Sequence, residues 1–290
     1  MKETLKNMSI TLLVILVLFK RPALITAIAS AINVWLNTVF PAIFPLLIIS
    51  DLIMSSNLIN IIQNNLNYLY TKLFKISGYG AYVFLLSLIS GAPSNAKYIR
   101  DLLNAKVICN KEAIKILSMS VFYNPLLIIA LTSFLTTRDQ LFIIGSNILI
   151  NIIIGLINRN QKIDYQVKRQ LIPVNFNLIN SINNAVQTLL LILGVIALFS
   201  AIGAILPINH PLLIGSLEII NGLNLTNEIT NYNHQLMFTG ILLAFGSLSI
   251  QTQIKSILKD YPIEYSLFYK SRIVHLILFI IILKLRILII

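Results

Sequence analysis

The sequence predicts an all-α, polytopic membrane protein built on an internal repeat with broken or re-entrant helices. Three observations carry that expectation. Hydrophobic residues make up 57% of the 290 and charged residues only 11%, where soluble domains carry about a quarter. The apolar residues fall into runs approaching or exceeding the ~20 that a crossing helix needs. Several runs are interrupted by Gly, Pro and small polar side chains at matching places in two halves of the chain.

Charge and rare residues narrow the class. The net charge of +12 comes from short Lys and Arg clusters between apolar runs, as cytosolic loops carry under the positive-inside rule. No basic patch interleaved with aromatics points to nucleic acid. The lone Cys109 rules out an intrachain disulfide or a thiolate cluster. His210, His234 and His275 lack ligand spacing, so no metal, resident cofactor or enzyme chemistry is indicated.

Taken in order, residues 1–22 join a basic start to a 12-residue apolar run (8–19) with no small-x-small cleavage site, and read as an N-terminal anchor or first helix. The first repeat is expected over 23–157. Its opening run, ALITAIASAINVWLNTVFPAIFPLLIISDLIM, is too long for one crossing. It divides into an interfacial or lining helix to about Leu36 and a crossing helix to about Met54, loosened by Pro41 and Pro45. Residues 58–76 mix apolar residues with Asn, Gln and Lys at helical spacing, as an amphipathic interface helix does. A span or half-span follows at 79–90. After the basic stretch 97–115, with five positive and two negative side chains, apolar runs at 116–135 and 141–157 are joined by a turn at 136–140. A basic cytoplasmic linker is expected over 158–175 and the second repeat over 176–290. This half has a clear span at 186–206, two glycine-broken segments, PLLIGSLEIINGLNL and QLMFTGILLAFGSLSI, and a last run at 273–283 extended by KLRILII.

A constant offset of 155 residues lays GAPSNAKYI (91–99) on GSLSIQTQI (246–254), 38–53 on 193–208 and 114–131 on 269–286. One offset serving three segments argues for duplication. With 97–115 inside, the second motif is expected to emerge outside and Lys284 and Arg286 to end inside, giving an inverted repeat. The loop 158–170 is then cytoplasmic and 221–233 faces the other side.

In repeat transporters, short Gly- or Pro-interrupted segments in corresponding places mark the site. Ser90, Gly91, Pro93, Ser94 and Asn95 in the first half, and Gly246, Ser247, Ser249, Gln251 and Gln253 in the second, are the candidates. Their polar side chains serve either a ligand or the backbone groups that the break sets free. Glu218, between Gly215 and Gly222 with no basic neighbour in sequence, is the acid most suited to a proton, ion or substrate; the bland alternative is a protonated contact to a neighbouring helix. Asn124 beside Pro125 interrupts an apolar run and either lines the pathway or marks a plain kink. Asp51 closes a span as a site residue or an interfacial acid. Trp35, Tyr68, Tyr70 and Tyr79 are expected to anchor at the interface, with stacking on a ligand as the alternative.

The segments WLNTVFPAIFPLLIISDLI, SGAPSNAKYIRDLL, KEAIKILSMSVFYNPLLI, GSLEIINGLN and AFGSLSIQTQI together resemble the sporulation integral membrane proteins that carry the nucleoside-recognition Gate domain, a family that includes dipicolinate transport across the outer forespore membrane among its roles. The resemblance runs from about residue 20 to 275. It implies a core similar to that of concentrative nucleoside transporters, with hairpins around a central site. Carried over by motif, Ser90, Gly91, Pro93, Glu218, Gly246, Ser249 and Gln253 become core-site residues. Phe122-Tyr123 depart from the family's small polar residues and glycine. The role implied is secondary transport of a small anionic metabolite, dipicolinic acid during sporulation, in the outer forespore membrane, with coupling to a proton or another ion left open. A non-transporting scaffold for spore envelope assembly and a nucleoside transporter are the alternatives. Since 170–254 has no Lys or Arg, a cation for an anionic ligand has to come from Lys97, Arg100 or another residue outside that stretch.

Overall fold

Backbone polar groups in lipid must be satisfied within the protein, which favours helices. The computed structural model describes residues 2–161 and 176–289, which form fifteen α-helices and no strand. Four helical stretches are long and apolar enough to cross a membrane: Arg21–Met54, Thr137–Asn160, Leu178–Ile205 and Tyr232–Ile257. The chain is an integral, multi-pass membrane protein. After α1 (Lys2–Phe19), the first stretch is continuous. Helices α2 (Arg21–Val34) and α3 (Phe40–Met54) join through a π-helical turn, Trp35–Val39, and do not divide into an interfacial and a crossing helix as expected. The wider turn, closed by Phe40 N–H on Trp35 O, absorbs the donor that Pro41 lacks and lets the helix run on.

The counterpart of this long helix is α10 (Leu178–Ile205). Ala23, Thr26 and Ser30 border a groove with Ser200, Gly203 and Ala204, while Trp35 Nε1 donates to Leu189 O at 3.1 Å. The two helices therefore run antiparallel. Trp35 is buried between elements and is no interfacial anchor, because its one polar atom finds a partner inside the protein. Tyr70 and Tyr79 are buried too, and only Tyr68 of the expected anchors is exposed, at 73%.

Each long helix is followed by a hairpin. In the first, α5 (Tyr79–Ser90) and α6 (Ser94–Asn104) bring the Tyr82 and Tyr98 rings to 6.0 Å. A straight helix would hold them about 24 Å apart at 1.5 Å per residue, so the chain turns back at 91–93. In the second, α11 (Pro211–Leu217) and α12 (Ile219–Asn227) are separated by Glu218 alone, in extended conformation. The arms approach closely because Gly215 and Gly222 face each other: a Cβ on Gly215 would lie 3.0 Å from Gly222 Cα.

An interrupted span comes next in both halves. Helix α7 (Asn110–Met119) unwinds at 120–124 before α8 (Pro125–Leu131), and α13 (Tyr232–Phe245) breaks at Gly246 and Ser247 before α14 (Leu248–Ile257). Helices α9 (Thr137–Ile157) and α15 (Ser266–Ile289) close the two halves. The order of element types thus repeats. Helix α4 (Leu58–Phe74), lying at 92° to α5, is extra in the first half and has the crosswise setting of an interface helix. Its insertion breaks the 155-residue register. That offset pairs the long helices but sets Gly91, at a hairpin tip, against Gly246, inside a crossing span.

The halves are inverted. Tyr82 Oη in the first hairpin donates to Ser50 O at 3.2 Å, and Lys97 pairs with Asp51, near the end of α3. Asn221, Asn224 and Leu225 of the second hairpin share a groove with Ala23 and Thr26, near the start of α2. The hairpins therefore enter from opposite ends of one long helix. The expected sidedness of the last segments is overturned. Asn158 Nδ2 donates to Ser271 Oγ at 2.9 Å and Tyr261 Oη to Asn104, placing 258–271 beside 104–111 and 158–161. Arg286 Nε meets Asp139 Oδ1 at 3.1 Å, beside Tyr232, at the far side. The reason is that Tyr232–Ile257 crosses completely instead of returning. The linker expected over 158–175 lies, from 162 on, outside the described residues.

In a Cys109→Ser background, single cysteines at Gln161 and Lys259 should react with an impermeant thiol reagent from one side of the membrane, and cysteines at Asn227 and Leu288 from the other. Labelling of Lys259→Cys together with Asn227→Cys would contradict the full crossing of Tyr232–Ile257.

Candidate functional site

Every break in a helix frees carbonyls and N–H groups that need partners, and at the centre of this protein the breaks supply one another. The tip of the first hairpin docks on the unwound stretch 120–124: Ala92 N–H donates to Phe122 O at 2.7 Å. Gly91 is required there, with φ +74°, and a Cβ on it would run into the backbone of Tyr123 and Asn124. Asn95 Nδ2 donates to Ser120 O at 3.1 Å. Val121 O has lost its helical partner because residue 125 is proline, and Asn151 Nδ2 replaces it at 3.0 Å. Asn124 Oδ1 accepts from Leu126 N at 2.9 Å and caps α8. In the second half, Gln251 Nε2 donates to Gly246 O at 3.0 Å, and Ser247 Oγ accepts from Ile250 N at 3.4 Å. Glu218 Oε2 accepts from Ile220 N at 2.8 Å and Asn221 N at 3.2 Å, capping α12 from the hairpin tip.

Between the two tips lies a cavity of about 50 Å³. Ala92 and Pro93 border it from one hairpin and Glu218, Ile219 and Ile220 from the other, with Tyr123 and Gln253 from the interrupted spans. The remaining wall is aliphatic, including Val39 and Ile43 of the first long helix and Ile192 and Ile196 of the second. A water molecule occupies about 30 Å³ of liquid and drug-sized ligands about 300 Å³ or more of pocket. The space between the tips is therefore far smaller than a drug-sized ligand needs.

Of the sequence candidates, Pro93, Glu218 and Gln253 are brought to this cavity. Gly91 and Gly246 shape the chain at its edge. Asn95, Asn124 and Gln251 are occupied with freed backbone groups, Ser90 Oγ bonds Leu86 O in its own helix, and Ser249 Oγ accepts from Gln253 Nε2 at 3.2 Å. Ser94 is buried in the first turn of α6. Lys97 pairs with Asp51 and with Asp101, whose Oδ2 lies 2.8 Å from Lys97 Nζ. Lys97 is therefore committed to two carboxylates and does not line the cavity as a cation. Tyr123 was not a candidate, yet its hydroxyl is buried without a hydrogen-bond partner and stands against Gly246, where a Cβ would be 3.3 Å from Oη. Its sequence signals were its place beside Asn124-Pro125 and its departure from the small residues that the family resemblance implies there. Among the described residues no group of three His, Cys, Asp or Glu side chains could hold a metal.

This arrangement sits on a chain with a recorded relative. The sporulation integral membrane protein YlbJ of Bacillus subtilis (strain 168) is 23% identical over 296 aligned positions, covering 84% of this chain and 72% of that protein. The chain is distantly related to a sporulation integral membrane protein. No family model and no solved structure matches it.

Because the second hairpin depends on two glycines in contact, Gly222→Val should cost about 1–3 kcal/mol through overpacking and lower the thermal midpoint of the purified protein. Gly194→Val, at a glycine with nothing within 4 Å of its Cβ position, should leave that midpoint close to wild type.

Proposed function

We propose that the protein is a secondary transporter that carries a small anionic metabolite by alternating access around the two hairpin tips, with dipicolinic acid, moved across the outer forespore membrane during sporulation, as the substrate. The observation that carries the reading is geometric: hairpins entering from opposite ends of one long helix close their tips on a central cavity. Opening either hairpin exposes the same cavity to a different side, the minimum that alternating access requires.

The chemistry of the cavity favours a compact, flat anion. The N-terminal ends of α6 and α14 point their dipoles into the region where the breaks meet, and helix N-termini favour negative charge. The aliphatic wall suits an aromatic ring. A nucleoside would bring ribose hydroxyls to a wall whose polar groups are Glu218, Tyr123 and Gln253, too few to replace the hydrogen bonds of all its polar atoms. Glu218 would repel an anion while ionised, so substrate and proton enter the site together. YlbJ is a sporulation integral membrane protein, which agrees with this setting.

Purified protein in liposomes should take up labelled dipicolinate under an imposed pH gradient and should not take up uridine. Absence of dipicolinate uptake under every ion or pH gradient would sink the reading in favour of a scaffold, and uridine uptake would favour a nucleoside carrier. Glu218→Gln keeps a cap acceptor for α12 but cannot exchange a proton. It should insert normally, yet lose uptake or its dependence on pH between about pH 5.5 and 8; an unchanged pH profile would remove Glu218 from the mechanism. Glu218→Ala should in addition cost about 1 kcal/mol of stability through the lost cap.

A further inference from the structure

Arg272, on α15, is buried at 4% exposure and does not border the cavity. Among the described residues no carboxylate lies within ion-pair reach of it. Its Nη2 donates instead to Ser118 O at 3.1 Å and Asn151 Oδ1 at 3.2 Å, and its guanidinium carbon sits 5.9 Å from the centre of the Phe268 ring. A buried cation without a counter-ion is costly, so the place it occupies has to offer negative potential. The place does. Ser118 O is a carbonyl that an uninterrupted α7 would pair with the N–H of Phe122, but Phe122 N–H turns to Ser120 O at 3.2 Å. The carbonyl end of a helix carries partial negative charge, and in broken-helix transporters the C-terminal ends of half-helices and unwound carbonyls are where a coupling cation is coordinated.

We propose that Arg272 is a tethered cation occupying the metal-ion position on the carbonyl end of α7, so that this protein keeps its unwound segment in shape without binding Na⁺ or K⁺ there. Asn151 completes the grip by accepting from Arg272 while donating to Val121 O. Asn158 Nδ2 holds the same corner by donating to Ser118 Oγ at 3.1 Å and Ser271 Oγ at 2.9 Å. The carbonyls that hold the tip of the first hairpin, Ser120 O and Phe122 O, lie within a few residues of Ser118. A fixed charge here thus supports the docking surface for the moving tip. The consequence for coupling rests on the transporter reading; the cation position itself does not.

The test is thermal unfolding of the purified protein in NaCl, KCl and choline chloride at equal ionic strength. Wild type should show one midpoint in all three salts. Arg272→Met should unfold several degrees lower in choline chloride and recover at least half of that loss with Na⁺ or low-millimolar guanidinium. A Na⁺-specific rise in wild type, or a loss in Arg272→Met that no small cation recovers, would overturn the proposal. Should Arg272→Met fail to insert, Arg272→Lys carries the test. It keeps a tethered cation and should be indifferent to the salt, whereas a Na⁺ requirement in it would contradict the assignment. These readouts need no substrate, so a wild type that transports nothing would count against the transporter reading and leave this one standing.

Discussion

The hydrogen bond from Ala92 N–H to Phe122 O joins the tip of a re-entrant hairpin to the unwound middle of a crossing helix, and most of the structure follows from the constraint behind it. A polar backbone group left unpaired in hydrocarbon costs several kcal/mol. A chain that unwinds its helices at mid-membrane is stable only when each break meets another break or a side chain suited to it. Here both happen: Asn95, Asn151 and Arg272 take carbonyls of the first interrupted span, Gln251 takes one of the second, and Asn124, Glu218 and Ser247 cap the helices that restart. Much of the polar content of an otherwise aliphatic interior is therefore spent on the backbone. Few polar side chains are left to border the cavity, namely Glu218 at one tip and Tyr123 and Gln253 from the interrupted spans.

The same constraint explains where the charges went. Lys97 is buried with Asp51 and Asp101 where the first hairpin meets the long helix, an arrangement that fixes geometry more than it adds stability, because desolvating the charges offsets much of their attraction. Arg286 and Asp139 clasp the opposite side, where α9 begins and α15 ends. Both clusters lie away from the cavity. The interior charge between these clusters is Glu218 at one hairpin tip and Arg272 on the carbonyl end of α7.

Much of this was legible in the sequence, and the parts that were not have identifiable causes. Composition fixed the class, and Gly91-Ala92-Pro93, Asn124-Pro125 and Gly246-Ser247 marked three of the four breaks, since each contains a helix breaker and the last two add a capping side chain, Asn124 and Ser247. The fourth, Glu218, was found because an acid between two glycines in an apolar run is rare, although its turn of a single residue could not be foreseen. The register of the repeat went wrong because Gly91 and Gly246 look alike in sequence and serve different geometries, one turning a hairpin and the other interrupting a crossing. Sidedness of the C-terminal third followed that error. Trp35 was misread because an indole serves equally at an interface and in a helix–helix groove, and only a partner such as Leu189 O, far away in sequence, tells the two apart. Arg272 carried no signal because its hydrogen-bond partners, Ser118 O and Asn151 Oδ1, lie more than a hundred residues away in sequence.

The central claim is that two hairpins from opposite sides meet tip to tip, and proximity across the tips tests it most directly. In a Cys109→Ser background, Ala92→Cys paired with Ile219→Cys, both bordering the closed cavity, should be joined by a short membrane-permeant bismaleimide. Ala92→Cys paired with Asn209→Cys, at the outer base of the second hairpin, should not. Cross-linking of the second pair but not the first would mean that the hairpins do not converge and that the cavity between them is no transport site.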